Sequence, residues 1–195
     1  MFEERFDRMP YARRPLCFLD IETTGTEPGH HEITELGFWH EKLGGWCVRI
    51  MPKYPDRFQP EARAISGYND VDWAGAPRFE AISAKAIEFM EDTTLVGHNI
   101  LGFDMPFIHA EYQSAGLSSD RIPRNAVLDT QGLALAHLVP LGLKRLSLNA
   151  CCSFFDISNA GEHNAYDDAL RTKAVYEKIM GSLRWTGGNP QQELF

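Results

Sequence analysis

Apolar and polar positions along the chain follow two different periods. Short runs that are apolar throughout, or that alternate with a period of two, are typical of β-strands. Such runs begin at Leu16, Glu32, Trp46, Thr94 and Ala126. Other segments repeat apolar residues every three to four positions, which indicates helices packed on a core. Three early strands, followed by alternating strands and helices, predict an α/β fold with a mixed sheet flanked by helices.

Turn-forming residues separate these segments and set the domain boundaries. We expect helices from Pro77, from Phe103, over Leu133–Leu138, over Leu143–Phe155 and from about Asn164 to Met180. Residues 52–77 are rich in proline and glycine, which predicts a long surface excursion. We expect a single domain over residues 1–180, and a flexible tail over residues 181–195 that begins with a glycine-rich linker.

Two acids stand at the end of the first apolar run. Asp20 and Glu22 are two residues apart, so on a strand they point to the same side, about 7 Å apart along its axis. In a poorly hydrated place they repel each other, and one tends to stay protonated unless a cation lies between them. The alternative is that both acids are solvated at a strand end.

Two further acids stand near helix starts, each at the head of an apolar stripe. Asp104 and Asp168 are in line with core-facing positions, so we expect them to point toward the sheet. A first-turn acid also stabilises the helix dipole with no other role, and that alternative stays open. Asp167 is the obvious rival of Asp168, and the stripe favours Asp168. His163 can share a site with Asp168 only from the loop before the helix; otherwise it is a capping or exposed histidine.

Charge, cysteine content and the lengths of the apolar runs limit the classes of protein to which the chain can belong. A net charge of −8 argues against broad electrostatic capture of nucleic acid, but it allows an enzyme whose clustered acids hold cations. The four cysteines lack metal-knuckle spacing and predict buried, reduced thiols in a cytosolic protein. No apolar run approaches the ~20 residues of a membrane span, and the first residues lack a signal-peptide layout.

The four acids, if gathered, would form a site for phosphoryl transfer. Hard divalent cations such as Mg²⁺ prefer oxygen ligands. A pair of such ions about 4 Å apart stabilises the attacking and leaving oxygens of a phosphodiester. A neutral histidine beside them, such as His163, can take the proton from the attacking water.

Three motifs carry these residues in order. They are Asp20-Ile21-Glu22-Thr23-Thr24-Gly25, then His98-Asn99 followed by Phe103-Asp104, and His163-Asn164-Ala165-Tyr166-Asp167-Asp168. In this respect the chain resembles the DEDD family of 3′→5′ exonucleases, in its histidine-bearing subclass (DEDDh), together with the proofreading subunit of bacterial replicative polymerase. The resemblance covers roughly residues 15–180.

The resemblance implies a ribonuclease H-like fold, with a five-stranded mixed sheet and helices on both faces. It also implies two Mg²⁺ or Mn²⁺ ions, with His163 as the general base. The metal ligands would be Asp20, Glu22, Asp104 and Asp168. The residues beside the terminal nucleotide would be Thr23, Thr24, His98 and Asn99.

Three functions are then open. The first is hydrolysis of single-stranded DNA from its 3′ end, releasing nucleoside monophosphates, in proofreading or repair. The second keeps the mechanism but acts on RNA 3′ ends, as in ribonuclease T-like or oligoribonuclease-like relatives; the two differ in contacts to the 2′ hydroxyl. The third is a catalytically silent accessory module, and the presence of all four acids and the histidine weighs against it.

The last five residues form a separate motif. Gln191, Leu194 and Phe195 match the Gln-x-x-Leu-Phe pattern of the short peptides with which bacterial polymerases and repair proteins bind the sliding clamp. Two adjacent large apolar residues on a flexible linker can dock in a hydrophobic groove. We therefore expect the clamp, and with it a polymerase, as partners; the alternative is an incidental terminus.

Overall fold

The computed structural model describes residues 14–158 and 164–185, with side chains through residue 183. Five strands form one sheet in the order β3-β2-β1-β4-β5. The strands are β1 (Leu16–Thr23), β2 (Ile33–His40), β3 (Gly44–Arg49), β4 (Thr94–Gly97) and β5 (Val127–Asp129). The first three pair antiparallel, whereas β4 and β5 run parallel to β1. The predicted mixed sheet is confirmed.

Six α-helices accompany the sheet within the described ranges. They are α1 (Pro60–Ser66), α2 (Phe79–Met90), α3 (Asp104–Ser114), α4 (Thr130–His137), α5 (Leu148–Phe154) and α6 (Ala165–Trp185). A 3-10 turn at Val139–Leu141 links α4 to the loop before α5. None of the helices in these ranges combines the length and the apolar character needed to cross a membrane.

The central strand β1 is covered on both faces, and its side chains alternate between them. Cys17, Leu19 and Ile21 belong to the large core formed with α2 and α3. Phe18 packs on the other face against Ala169 of α6. Because Asp20 and Glu22 have the same parity as Phe18, they point toward the α6 side of the sheet.

The prediction for residues 52–77 is partly wrong. This segment contains α1 and buries Tyr68 and Trp73, which are 5% and 2% exposed. The Trp73 indole N–H donates to the carbonyl of Thr34 at 3.0 Å, so the segment packs on the start of β2. Proline and glycine mark its turns correctly, but they do not reveal where its aromatic side chains pack.

Two further expectations need correction. Helix α6 continues through Gly181 to Trp185, so the boundary predicted after residue 180 falls inside a helix. One glycine in a helix costs only about 1 kcal/mol, and Leu183 packs on the core formed by α4, α5 and α6. Cys47 is exposed on the edge strand β3, whereas Cys17, Cys151 and Cys152 are buried; all four are free thiols.

Candidate active site

The carboxyl end of β1 delivers two acids to one side of the sheet. Asp20 and Glu22 are both half-buried near this strand end. The register places Glu22 opposite Glu35 of β2. The first acid pair therefore lies where β1 leaves the sheet, facing α6.

The first turn of α6 brings a third acid to the same place. Asp20, Glu22 and Asp168 each offer an oxygen, and these oxygens lie within 4.8 Å of one another. Gly37 of β2 makes the approach possible, because a Cβ there would clash with the backbone of Ala165 at the start of α6. At Gly37 the first turn of α6 therefore lies directly against the backbone of the sheet.

The fourth acid enters from α3. Asp104, at the first position of that helix, is only 3% exposed. Its carboxylate accepts hydrogen bonds from its own backbone N–H and from that of Ile21, the residue between Asp20 and Glu22. Strand β1 and helices α3 and α6 thus bring together the four acids that the sequence singled out.

Burial and mutual repulsion make these acids difficult to ionise. Burial raises the pKa of Glu22 to about 7, with contributions from Glu35 and Asp104. Burial also raises the pKa of Asp104 to about 7. For Asp20, burial and the charges of Asp104 and Glu22 raise the pKa well above its usual range. A bound cation would relieve both effects.

Asp167 and Asp168 have different partners. The Asp167 carboxylate accepts the side-chain N–H of Asn164 at 2.8 Å, and the Asp167 N–H donates to the Asn164 side-chain oxygen at 2.8 Å. Asn164 thereby caps the first turn of α6, and the Asp167 carboxylate holds the capping side chain in place. Asp168, one residue further, joins the cluster of acids.

Two charged residues of the site were not predicted from the sequence. Arg171, 9% exposed and one turn after Asp168, forms an ion pair with that carboxylate. Its positive charge lowers the pKa values of Asp20 and Glu22, opposing the larger effect of burial. The spacing of three residues on one helix is the signal that could have found it.

Glu35 is the second such residue, and it joins β2 to α6. It is 4% exposed, and its Oε1 accepts the backbone N–H of Ala165 at 3.0 Å. It also accepts the Cys47 thiol at 3.4 Å and lies 3.8 Å from the Arg49 guanidinium. Glu35 therefore fixes the start of the helix that carries Asp168.

The Thr-Thr-Gly turn after β1 is held rigidly by its own side chains. Thr23 is buried and donates its hydroxyl to the Gly25 carbonyl at 2.6 Å. Thr24 is fully buried, and its hydroxyl accepts the N–H of Glu32 at 2.9 Å. A Cβ at Gly25 would clash with the ring of His31, so this motif position requires glycine. The turn therefore presents a fixed backbone beside the acids.

His98 and Asn99 follow β4 and are engaged with neighbouring loops. The His98 ring donates from Nε2 to the Leu146 carbonyl at 2.6 Å, and its Nδ1 lies 3.0 Å from the Thr130 hydroxyl. Asn99 has φ +61°, and its N–H donates to Asp129 at 2.9 Å. Both residues thus organise the loop before α3, and their predicted contact with the nucleotide stays a prediction.

The remaining predicted site residues lie outside the described residues. These are His163, which directly precedes the described Asn164, and the tail residues Gln191, Leu194 and Phe195. Their predicted roles stay predictions.

The donor set suits a hard divalent metal. Carboxylate oxygens that converge from separate elements are the ligands that Mg²⁺ and Mn²⁺ prefer. The described part of the cluster contains no cysteine or histidine ligand of the kind that selects zinc. Fold and site together define a hydrolase of the ribonuclease H-like class, with an acidic cluster whose chemistry suits a divalent metal.

Comparison with known proteins gives the family. The family model RNase_T, described as Exonuclease, matches residues 17–176. The chain therefore belongs to this exonuclease family, and the predicted resemblance to the DEDD exonucleases is confirmed.

Two kinds of polymerase protein are among the relatives. The DNA polymerase III subunit epsilon of Rickettsia conorii is 32% identical over 171 residues, covering 84% of this chain and 72% of that protein. The PolC-type DNA polymerase III of Halalkalibacterium halodurans is 31% identical over 167 residues, which cover 84% of this chain. The chain spans only about 11% of the length of that polymerase.

Solved structures confirm the fold. E. coli exonuclease I in complex with a dT13 oligonucleotide superimposes with a TM-score of 0.72 at 17% identity. The match covers 89% of this chain and 43% of exonuclease I. At this identity the similarity shows the ribonuclease H-like architecture alone.

Proposed function

We propose that the protein is a metal-dependent 3′→5′ exonuclease that acts on single-stranded DNA and releases nucleoside monophosphates. The observation that carries the proposal is the meeting of Asp20, Glu22 and Asp168 within 4.8 Å. Buried Asp104 completes the set from α3. The relatedness to polymerase III epsilon favours DNA over RNA as the substrate.

In the proposed mechanism the four acids hold two Mg²⁺ or Mn²⁺ ions. Bound there, the ions would supply positive charge against the attacking and leaving oxygens of the phosphodiester. His163 accepts the proton of the attacking water. Arg171 offsets part of the negative charge of the acids, and Glu35 holds the start of α6 in place. The rigid turn at Thr23 and Thr24 orients the terminal nucleotide.

The test is a degradation series on matched DNA and RNA oligomers labelled at the 5′ end, with Mg²⁺, Mn²⁺ or EDTA. We expect progressive shortening of the DNA from its 3′ end, and no cleavage in EDTA. Faster shortening of the RNA would favour the RNA alternative. No shortening of either substrate with either metal would reject the proposed activity.

Two neighbouring residues provide a matched pair of variants for this series. Asp168→Ala should abolish cleavage, because it removes one acid of the cluster. Asp167→Ala removes only the contact between its carboxylate and the Asn164 amide and keeps the backbone N–H that Asn164 accepts, so it should retain cleavage. The reverse result would assign the metal ligand to Asp167.

The base role of His163 is tested separately. His163→Ala should lower kcat by roughly 10²-fold or more, because proton transfer to a positioned base contributes at least that factor. An unchanged kcat at saturating metal would assign the proton to another acceptor.

For the C-terminal tail we propose binding to the sliding clamp through Gln191, Leu194 and Phe195. The support is the sequence pattern together with the relatedness to polymerase III subunits. A pull-down with purified bacterial clamp should retain the wild-type chain and lose the variant with Leu194→Ala and Phe195→Ala. Equal retention of both chains would reject this role.

A further inference from the structure

The short loop at residues 142–147 presents two basic side chains between fixed points. Leu143 is buried in the core formed by α4, α5 and α6. On the other side of the loop, the Ser147 hydroxyl caps the start of α5. Between these two anchors Lys144 and Arg145 are exposed. The loop therefore holds two adjacent cations in a defined place on the surface.

This place is beside the candidate active site. The Leu146 carbonyl accepts a hydrogen bond from His98 at 2.6 Å, and His98 directly follows β4. Strands β1 and β4 are parallel, with Phe18 opposite Val96. This pairing ends two residues before Asp20 on β1 and two residues before His98 on the other chain segment, so both residues follow it at the same end of the sheet. The basic loop is thus tied to the sheet edge at which the acids meet.

The two positive charges of the loop are not neutralised by an acidic partner in the described ranges. Many Lys and Arg side chains of the described ranges have an acidic partner, as Lys53 has in Glu80. In those ranges, no ion pair involves Lys144 or Arg145. In a chain with a net charge of −8, a polyanion approaching the acidic cluster needs local positive charge.

We infer that Lys144 and Arg145 bind the phosphodiester backbone of the single strand upstream of the bond that is cut. This inference rests on the proposed function. Lysine and arginine are the usual phosphate contacts of nucleic-acid-binding proteins, and such contacts fix the strand without reading its sequence. The pair would therefore hold long substrates, while the acidic cluster alone would act on the terminal phosphodiester.

A charge-matched control is available in the same chain. Lys42 and Lys178 are also exposed, and neither forms an ion pair in the ranges that the structure describes. Lys42 lies in the β2–β3 hairpin, at the opposite end of β1, and Lys178 is ten residues after Asp168, about 15 Å along α6. The double variants K144A/R145A and K42A/K178A remove the same charge from different places.

Binding is measured by fluorescence anisotropy of a labelled 20-nucleotide oligothymidylate in EDTA, over a series of salt concentrations. For K144A/R145A we expect affinity to fall on the order of tenfold at low salt, and the salt slope to decrease by roughly 1.4, since each phosphate contact on a single strand contributes about 0.7. K42A/K178A should behave like the wild type. Equal affinities and slopes for the two double variants would overturn the inference.

Cleavage separates this inference from the proposed function. The p-nitrophenyl ester of thymidine 5′-monophosphate has no upstream phosphate, so K144A/R145A should hydrolyse it at the wild-type rate with Mn²⁺. On the 20-nucleotide substrate the same variant should show a raised KM. Equal losses on both substrates would place the pair in the chemistry and overturn the backbone role. A wild-type chain that cleaves neither substrate would reject the proposed function, and the anisotropy would still decide the phosphate contact.

Discussion

The acidic cluster and Glu111, a buried acid elsewhere in the fold, show that a buried carboxylate is not by itself a functional site. Burial raises the pKa of both Glu22 and Glu111 to about 7. Glu111 of α3 is 7% exposed, and its carboxylate accepts the backbone N–H of Ile33 at 2.8 Å. Glu22 instead faces further acids from other elements, so only the cluster has a geometry that a cation can complete.

The difference between the two regions lies in what relieves the buried charge. At Glu111, a proton or the neighbouring Lys53 is sufficient, although the charges of Glu32 and Glu80 also raise its pKa. These two acids have partners of their own: Glu32 accepts the N–H groups of Lys53 and Tyr54, and Glu80 pairs with the Lys53 ammonium. In the cluster, Arg171 compensates only part of the charge of Asp20, Glu22 and Asp168. The excess negative charge costs stability in the metal-free protein and favours metal binding.

The largest expected effect is that of neutralising one acid of the cluster. Asp20→Asn should lower kcat roughly 10³-fold, because a bound metal contributes several kcal/mol of charge stabilisation in the transition state. The same variant should raise the melting temperature in EDTA at neutral pH, because it removes repulsion with Glu22 and Asp104. Both quantities are measured on one preparation, by oligonucleotide cleavage and by thermal unfolding.

Glu111→Gln is the control for this prediction. It neutralises a buried carboxylate outside the cluster but keeps an oxygen for the Ile33 N–H. Its cleavage rate should stay within about twofold of the wild type, a change of less than 0.5 kcal/mol in the barrier. If Asp20→Asn and Glu111→Gln lost activity to the same degree, clustering of the acids would not distinguish a functional carboxylate from a merely buried one.

A smaller effect is expected from Glu35, which positions the helix rather than touching the substrate. Glu35→Ala leaves the Ala165 N–H without its acceptor, so the first turn of α6 and Asp168 should shift. A displacement of about 1 Å can cost roughly 10²-fold in rate. We expect kcat to fall by 10- to 100-fold by this reasoning, while KM changes little.

The variant Glu35→Gln shows whether Glu35 acts through its hydrogen bond to the Ala165 N–H or through its negative charge. Glu35→Gln keeps an oxygen for the Ala165 N–H and should restore most of kcat. Glu111→Ala also removes a buried carboxylate bonded to the backbone, so it reports the cost of instability alone. A Glu35→Gln variant as inactive as Glu35→Ala would contradict the positioning role.

Local patterns predicted the elements and the direction of the acids. The alternation of β1 put Asp20 and Glu22 on one face, and the apolar stripes put Asp104 and Asp168 at inward positions. The register with β2, which places Glu35 opposite Glu22, depends on strand pairing that one strand's pattern does not contain. This is why the acids were found and their supporting residue was not.

Long-range packing explains the predictions that failed. Tyr68 and Trp73 lie in a segment of turn-forming residues, yet the sheet edge provides the acceptor for the Trp73 indole at Thr34. Gly181 was predicted to end the last helix, yet Leu183 has an apolar surface to pack on. In both places a tertiary contact outweighs a local preference of about 1 kcal/mol.

The smallest expected effect concerns the stability contribution of Glu111 itself. Its pKa is raised in the folded state from 4.5 to about 7, so the contribution is complete below pH 4.5 and is lost as the pH rises through 7. Between pH 5 and 8 the free energy of unfolding of the wild type should therefore fall by about 2 kcal/mol more than that of Glu111→Gln. Urea denaturation in EDTA at the two pH values measures this difference. Because the acids of the cluster titrate in both proteins, the difference between them reports Glu111 alone. If the free energies of unfolding of the two proteins changed equally with pH, the Ile33 N–H and Lys53 would keep this acid ionised.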